Sequence, residues 1–369
     1  PDARGRASAR FVVGSIKRPG SALRNPFHIS FLQLHNSAKG FVTMTHPLPV
    51  FEDVRAAAAR LKDQAVQTPL LMNHALNERM GGRIFLKAEC LQRTGTFKFR
   101  GAFNALARLD DSQRQAGVVA FSSGNHAQGV AEAARILGIK AIIVMPEDAP
   151  EVKKAGVLAR GAEIRAYDRE TESRVEIAQA LCETSGAALI PSFDHPDVIA
   201  GQGTCGLEIF ETMKARGETA DQLVCCVGGG GLIGGINLAA EALSPRTRVF
   251  GAEPEGFDDH ARSLDSGKKV VNARKGGSLC DALLTETPGE LTYAINQPRL
   301  AGVGVISDLE ALQAVRYGFD TLKLVLEPGG AAALAAVLSG KIDVKDKTTV
   351  VVLTGGNVDS AVFQQALSS

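Results

Sequence analysis

Short apolar runs alternate with helical segments along most of the chain after residue 51, and this alternation constrains the fold more than any other feature. The run "GVVAFSS" is followed by the helical "GVAEAARILG", then by "AIIVMP" and the helical "PEVKKAGVLARG". The later runs "QLVCCVGGGG", "RVFGAEP" and "TTVVVLTGGN" continue the pattern. Because strands that alternate with helices are typical of a parallel sheet covered by helices, we predict an open α/β fold. Ligands of such folds lie beyond the carboxyl ends of the strands.

Three of these strands end in small or hydroxylated residues, in the sequences "AFSSGNH", "CCVGGGGL" and "VVLTGGN". Each sequence places unpaired backbone N–H groups at the start of a helix, where the helix dipole also favours an anion. We therefore expect the three turns to line one cleft.

The glycine loop "VGGGGLIGG" follows a predicted strand and opens a predicted helix. Without Cβ atoms, its amides can surround a phosphate group. The loop lacks the G-x-x-x-x-G-K-[ST] pattern of nucleotide triphosphatases. A dinucleotide site remains open, since Gly229, Gly231 and Gly234 fit G-x-G-x-x-G and Glu253 lies at a suitable distance. A tight turn that only packs a helix on a strand is the structural alternative.

Lys98 lies between Phe97 and Phe99 in "TGTFKFRGA". An amine held in a partly apolar pocket loses its charge more readily, and the free amine attacks carbonyl groups to form a Schiff base. A surface lysine whose stem covers Phe97 is the alternative for this residue taken alone. Together with a phosphate-binding loop, such an amine suggests pyridoxal phosphate as a cofactor.

Charge and cysteine content exclude several classes of protein. The 41 basic and 40 acidic side chains nearly balance, so we expect no nucleic-acid partner. The six cysteines form no C-x-x-C pair, which argues against a zinc site or a disulfide framework and favours a reducing, cytoplasmic location. The apolar stretch from Leu223 contains six glycines, so we interpret it as a strand, a turn and a helix start, with no membrane partner.

The first 43 residues are rich in Arg, Lys and Ser, contain one acid, Asp2, and precede Met44. We interpret residues 1–43 as an extraneous or disordered extension. A transit peptide is the alternative, because such peptides are typically Arg-rich and poor in acids.

Four segments together resemble the signature segments of fold-type II pyridoxal-phosphate enzymes, specifically the serine/threonine dehydratase and serine racemase group. They are "KAECLQRTGTFKFRGA", "SSGNHAQG", "VGGGGL" and "TGGN". The resemblance covers residues 50–369 with the segments in the same order. It implies two open parallel-sheet α/β domains, as in the tryptophan synthase β-like fold, with the cofactor in the cleft between them.

The resemblance also implies roles for individual residues. Lys98 would form the Schiff base with the cofactor, Asn125 would bind the ring oxygen, and Thr354 would face the pyridine nitrogen. The phosphate would be held by Gly228, Gly229, Gly230, Gly231 and Leu232. The substrate carboxylate would be received by Ser122, Ser123, Gly124, Asn125 and His126.

The implied reaction is dehydration and deamination of L-threonine or L-serine to 2-oxobutyrate or pyruvate and ammonia. A neutral hydroxyl at Thr354 does not force a proton onto the ring nitrogen, which favours β-elimination over transamination. Ser123 matches a position that carries a proton in some family members, although it is equally a helix cap. A serine or aspartate racemase and a threo-3-hydroxyaspartate dehydratase are therefore alternatives, and the substrate is a small hydroxy amino acid.

Two further features concern ions. Glu253, Asp259 and the carbonyl of Phe257 resemble the divalent-cation site of serine racemase-like members, and such oxygen ligands suit Mg²⁺ or Ca²⁺. A solvated acidic loop in which Glu253 packs structurally is the alternative. Arg174 matches a racemase-family arginine that could bind a second substrate carboxylate, but for an arginine in an acid-rich helical stretch we expect surface ion pairs.

The same resemblance suggests the domain organisation. Residues 44–106 and 197–369 would form a large cofactor-binding domain, and residues 107–196 a small mobile domain that closes on the substrate. We also expect a homodimer or a higher homo-oligomer.

Overall fold

The computed structural model of the chain describes residues 47–149 and 151–369, so the expectation for residues 1–43 lies outside this part. The strands are β1 (Leu70–Met72), β2 (Arg83–Ala88), β3 (Val118–Phe121), β4 (Ala141–Pro146), β5 (Glu163–Tyr167), β6 (Ala188–Leu189), β7 (Gln222–Cys226), β8 (Arg248–Pro254), β9 (Leu300–Ile306) and β10 (Thr348–Leu353). The helices are α1 (Phe51–Leu61), α2 (His74–Met80), α3 (Lys98–Ala107), α4 (Asp111–Ala116), α5 (Asn125–Leu137), α6 (Glu151–Leu158), α7 (Arg174–Ser185), α8 (Pro196–Ala215), α9 (Gly231–Leu243), α10 (Asp259–Ser266), α11 (Glu290–Asn296), α12 (Asp308–Tyr317), α13 (Pro328–Leu338) and α14 (Ser360–Ser368).

The strands form two open sheets, which confirms the predicted fold class. One sheet has the strand order β1-β2-β10-β7-β8-β9 and the other has the order β5-β4-β3-β6. All pairs in the second sheet are parallel. The strands of that sheet all lie within residues 107–196, and the domain boundaries themselves remain a prediction.

Strand β1 departs from the parallel pattern, since it pairs antiparallel with β2. The segment between the two strands is short and contains only the seven-residue helix α2. A parallel crossover needs a dozen or more residues, so this connection permits only an antiparallel neighbour.

Local sequence fixes the starts of two helices near the cleft. Helix α7 begins at Arg174 because the hydroxyl of Ser173 accepts a hydrogen bond from the N–H of Glu176. Helix α13 has Pro328 in its first turn, where a missing N–H costs nothing, and Glu327 precedes it as the N-cap residue. These caps place Arg174 and Glu327 at helix starts.

The helix that follows the glycine loop packs closely against α8. A Cβ atom on Gly235 of α9 would lie 2.4 Å from the backbone nitrogen of Gly203 on α8. Only glycine allows this approach, since real Cβ contacts are essentially never that short. The contact fixes α9, and with it the glycine loop at its start.

Helix α13 forms the centre of the largest apolar core. Its small side chains from Ala331 to Val337 are at most 1% exposed and pack with Val224 of β7 and Val351 of β10. Among the described residues, no helix combines the length and the apolar character needed to cross a bilayer.

Candidate active site

The four segments singled out in the sequence lie around one cavity system. Its larger part has a volume of about 680 Å³ and is lined by Lys98, residues 122–126, Arg174 and Glu327 among others. A narrow part of about 40 Å³ lies beside residues 228–232 and shares Lys98 and Glu327 with the larger part. The carboxyl ends of parallel strands meet at one edge of a sheet, which brings the turns after β7 and β10 together here.

Lys98 is the first residue of α3, and its amine faces this cavity. The amine donates a 2.8 Å hydrogen bond to the carbonyl of Ser192 and lies 5.2 Å from the centre of the Phe97 ring. Desolvation lowers the pKa of Lys98 to about 8, against the opposing influence of Cys226 and Glu327. The contact with Phe97 is therefore real, but it does not place the amine in bulk solvent.

The glycine loop turns at Gly230, whose φ is +89°. A Cβ atom there would lie 2.8 Å from both Asn296 and His260, so a larger residue would have to displace side chains. The loop carbonyls point away from the cavity into hydrogen bonds: Thr292 donates to the carbonyl of Gly229 at 2.7 Å, and Asn296 donates to that of Gly230 at 3.0 Å. The ring of Phe193 packs directly against Gly229.

Thr354 follows β10 and is 3% exposed. Its hydroxyl lies 3.1 Å from the thiol of Cys226, the last residue of β7. Both residues line the narrow part of the cavity together with Lys98.

Asn125 opens α5 and makes two side-chain hydrogen bonds. Its amide donates to Glu327 at 2.7 Å, and its oxygen accepts from Asn357 at 2.8 Å. Burial, followed by the charge of Asp281, raises the pKa of Glu327 to about 8. Sequence reasoning missed Glu327, although a glutamate directly before Pro328 and two glycines was a visible signal of a helix start.

The turn before α5 offers backbone groups rather than charged side chains. The N–H of Gly124 donates to the hydroxyl of Ser122 at 3.2 Å, and Ser123 lines the larger cavity. Nε2 of His126 lies 2.9 Å from the carbonyl of Ile190. Desolvation, and secondarily the charge of Lys98, lowers the pKa of His126 to about 3, so this imidazole is neutral near pH 7.

Two cations reach the larger cavity from α6 and α7. Lys153 is paired, since its amine lies 3.1 Å from Asp281 and 3.7 Å from Asp359. Arg174 is exposed at the cavity rim and stacks on the ring of Phe121 at 5.5 Å. Within the described parts of the chain Arg174 forms no ion pair, so the surface pairs expected from the sequence are absent there.

The sequence profile described as "Pyridoxal-phosphate dependent enzyme" matches residues 61–355. The chain belongs to this family. It is 44% identical over 320 residues to an L-threo-3-hydroxyaspartate ammonia-lyase of Pseudomonas sp, covering 87% of this chain and 99% of the relative.

Solved structures of family members have the same fold as this chain. The threonine deaminase of T.th. is 44% identical, with a TM-score of 0.79 and coverage of 84% of this chain and 99% of that one. Maize serine racemase is 35% identical, with a TM-score of 0.81 and coverage of 87% and 98%. The family therefore includes both ammonia-lyases and racemases.

The cavity fits the family's cofactor, pyridoxal phosphate. An amine whose pKa is lowered to about 8 lies in the same cavity as a glycine loop that begins a helix. The loop has no Cβ atoms to block a phosphate, and its outward carbonyls are held by Thr292 and Asn296. Asn125 and Thr354 add an amide and a hydroxyl to the same wall.

The residues that lie together at the predicted cation site differ from the expected set. Ligand atoms of Glu253, Asp259 and His260 lie within 4.8 Å of one another, and the sequence analysis did not include His260. Phe257 is buried nearby, at 1% exposure. The loop is not solvated, because Glu253 and Asp259 are both fully buried, but the structural packing of Glu253 that the alternative included does occur.

The acidic pair is strained electrostatically. Desolvation, followed by the charge of Asp259, raises the pKa of Glu253 well above its ordinary value. Its carboxyl oxygens accept hydrogen bonds from the N–H groups of His260 and Ala261. Among the described residues, Oδ2 of Asp259 has no hydrogen-bond partner. The cluster offers two carboxyl groups and one imidazole, and a divalent cation at this place stays a prediction.

Proposed function

We propose that this protein is a pyridoxal-phosphate-dependent ammonia-lyase whose preferred substrate is 3-hydroxyaspartate, ahead of threonine and serine. The observation that carries the preference is Arg174, a guanidinium at the cavity rim with no carboxylate partner among the described residues. Arginine pairs well with carboxylates, and stacking on Phe121 orients its donors. The family relationship to an L-threo-3-hydroxyaspartate ammonia-lyase supports the same choice.

Other charged side chains that line the cavity already have partners, which leaves Arg174 available to bind a second substrate carboxylate. Lys153 is neutralised by Asp281 and Asp359. Asp194 accepts hydrogen bonds from three backbone N–H groups at the start of α11, so this carboxylate already has partners. A second substrate carboxylate would therefore meet Arg174 without displacing an existing ion pair.

The remaining residues would divide the chemistry between them. The bound cofactor supplies electron withdrawal from the α-carbon of an amino acid joined to it. Lys98 takes the proton from that carbon, since a pKa of about 8 makes a neutral amine accessible near neutral pH. Backbone N–H groups of residues 122–126 bind the α-carboxylate at the start of α5. Asn125, Thr354 and residues 228–232 hold the cofactor.

The reaction loses the β-hydroxyl as water, and the resulting enamine takes up water to give a 2-oxo acid and ammonia. Hydrolysis returns the water lost in elimination, so no oxidant or reductant is needed. Since His126 is neutral near pH 7 and bound to Ile190, it contributes its backbone N–H rather than a charge.

Racemisation is a second candidate, because Ser123 and Lys98 line the same cavity. A hydroxyl able to return a proton to the α-carbon from the opposite face would convert L-serine into D-serine. We place this activity behind elimination.

A substrate panel tests the proposal. Purified holoprotein is assayed with L-threo-3-hydroxyaspartate, L-threonine and L-serine for 2-oxo acid, ammonia and D-isomer. We expect kcat/KM for the dicarboxylate to exceed the other two at least about tenfold, the worth of one charge-assisted hydrogen bond. Faster turnover of threonine or serine would make the protein a threonine/serine dehydratase, and D-serine without pyruvate would make it a racemase.

A further inference from the structure

A cysteine lies behind the hydroxyl that faces the cofactor cavity. Strands β7 and β10 are parallel neighbours, so their last residues lie at the same edge of the sheet. The next residue after β10 is Thr354, and the last of β7 is Cys226. Both are buried, at 3% and 5% exposure, and the sulfur lies 3.1 Å from the threonine hydroxyl oxygen.

The backbone of Thr354 is fixed at three points. Its carbonyl accepts from the hydroxyl of Thr96 at 3.1 Å and from the N–H of Phe97 at 3.2 Å, and its own N–H donates to Gly330 at 3.1 Å. The side-chain hydroxyl is different, because Cys226 is its one hydrogen-bond partner among the described residues. The direction in which the hydroxyl donates therefore depends on this thiol.

The two groups share their protons in one of two ways. If the Cys226 thiol donates to the oxygen of Thr354, the hydroxyl proton is free to be donated into the cavity. If the hydroxyl donates to the sulfur, its oxygen can only accept from the cavity side. An unprotonated pyridine nitrogen is an acceptor and needs the first arrangement. A protonated one needs the second.

We propose that Cys226 is a positioning residue that directs the Thr354 hydroxyl toward the pyridine nitrogen of the cofactor and so keeps that nitrogen unprotonated. The inference rests on the proposed function, in that it takes Thr354 to face the ring nitrogen. The side-chain hydrogen bond with Cys225, and then the one with Thr354 and the charge of Lys98, lower the pKa of the Cys226 thiol against the effect of burial. An unprotonated ring is a weaker electron sink, which suits prompt elimination.

Variants of Cys226 test this inference with the cofactor alone. Cys226→Ser keeps a donor, whereas Cys226→Ala and the similarly sized Cys226→Val remove it. Cys205→Ala is the matched control, since Cys205 is fully buried on α8 and lies outside the cavity wall. Apoprotein is titrated with pyridoxal phosphate to obtain Kd, and the visible band of the bound cofactor is followed against pH.

We expect the alanine and valine variants to raise Kd about fivefold, as for one neutral hydrogen bond, and to shift the pH midpoint of the band. Cys226→Ser should restore both quantities to near the wild-type values, and Cys205→Ala should change neither. In a Thr354→Val background, Cys226→Ala should have no further effect, because the thiol acts through that hydroxyl.

Two results would overturn the inference: a Kd and band for Cys226→Val equal to those of Cys205→Ala, or an undiminished effect of Cys226→Ala when Thr354 is valine. If the alanine variant does not fold, the valine and serine variants still decide. Neither readout uses a substrate. Failure to form 2-oxo acid would thus refute the proposed function alone, and an unchanged cofactor spectrum would refute this inference alone.

Discussion

The side-chain amide of Asn125 donates a 2.7 Å hydrogen bond to the carboxyl group of Glu327. Asn357 donates to the oxygen of the same asparagine at 2.8 Å. Asn125 is thus oriented by Glu327, which precedes α13, and by Asn357, which follows β10. Both residues are distant from Asn125 in sequence. Glu327 is only 5% exposed, and its burial gives it a raised pKa of about 8. The hydrogen bond between Asn125 and Glu327 therefore connects the wall of the cofactor cavity to a group whose charge depends on pH.

Replacing Glu327 with glutamine should stabilise the protein at alkaline pH. An acid whose pKa rises from 4.5 to about 8 on folding keeps its proton in the folded state while the unfolded chain loses it. The resulting cost is absent below pH 4.5, grows as the pH rises, and is complete above pH 8. In urea titrations we expect the free energy of unfolding of Glu327→Gln to exceed that of wild type by up to about 5 kcal/mol at pH 8.5, and to be about equal to it at pH 4.5.

Glu78→Gln is the control, because Glu78 is exposed on α2. Its effect should stay within about 0.5 kcal/mol at both pH values. A Glu327→Gln variant that is less stable than wild type at pH 8.5 would show that the carboxyl group is ionised and satisfied in the folded protein.

The capture of pyridoxal phosphate by apoprotein should accelerate with pH around a midpoint near 8. Only the neutral amine of Lys98 attacks the aldehyde, and burial lowers its pKa to about 8. Stopped-flow absorbance in the visible range measures the rate, and Lys98→Ala, which lacks the amine, should develop no band. A midpoint near 10, the ordinary value for lysine, would contradict the lowered pKa.

Much of the site followed from sequence because its parts are local. The glycine loop, the Ser122 turn and Thr354 each directly follow a strand, and parallel strands deliver such turns to one edge. The strand and helix pattern was equally local, so β8 was predicted at "RVFGAEP", the segment it occupies. The roles assigned to the individual residues remain predictions.

The rest depends on contacts between distant segments, which one sequence does not encode locally. Glu327 meets Asn125 across 202 positions, and Cys226 meets Thr354 across 128. In the sequence Cys226 resembles any other apolar strand residue. Only the pairing of β7 with β10 brings its thiol to the hydroxyl of Thr354. Among the described residues Arg174 forms no ion pair, which is similarly a property of the fold, since its neighbour in sequence Glu172 pairs with Arg165 instead.

Added Mg²⁺ or Ca²⁺ should raise the melting temperature through Glu253 and Asp259. Desolvation raises the pKa of Asp259 to about 6, and a bound cation would offset the repulsion between the two buried carboxyl groups. At a concentration 100 times its Kd, the ion would contribute about 2.7 kcal/mol. Calorimetry with ion and with chelator measures the shift. Asp259→Asn should remove it, whereas Asp265→Asn, at the exposed end of α10, should not. An equal shift in both variants would place the ion elsewhere.

Arg174→Gln should change the choice of substrate rather than catalysis in general. The variant keeps a hydrogen-bonding side chain at the rim but loses the charge that would pair with the β-carboxylate, so kcat/KM for L-threo-3-hydroxyaspartate should fall at least about tenfold. Serine lacks that carboxylate, and its kcat/KM should stay within about twofold.

Arg169→Gln is the matched control, because Arg169 precedes the same helix but pairs with Asp148 outside the cavity wall. Steady-state assays of 2-oxo acid formation on both substrates give the ratio. Equal losses on the two substrates would assign Arg174 to closure of the cleft or to folding, and the proposed preference for a dicarboxylate would have to be abandoned.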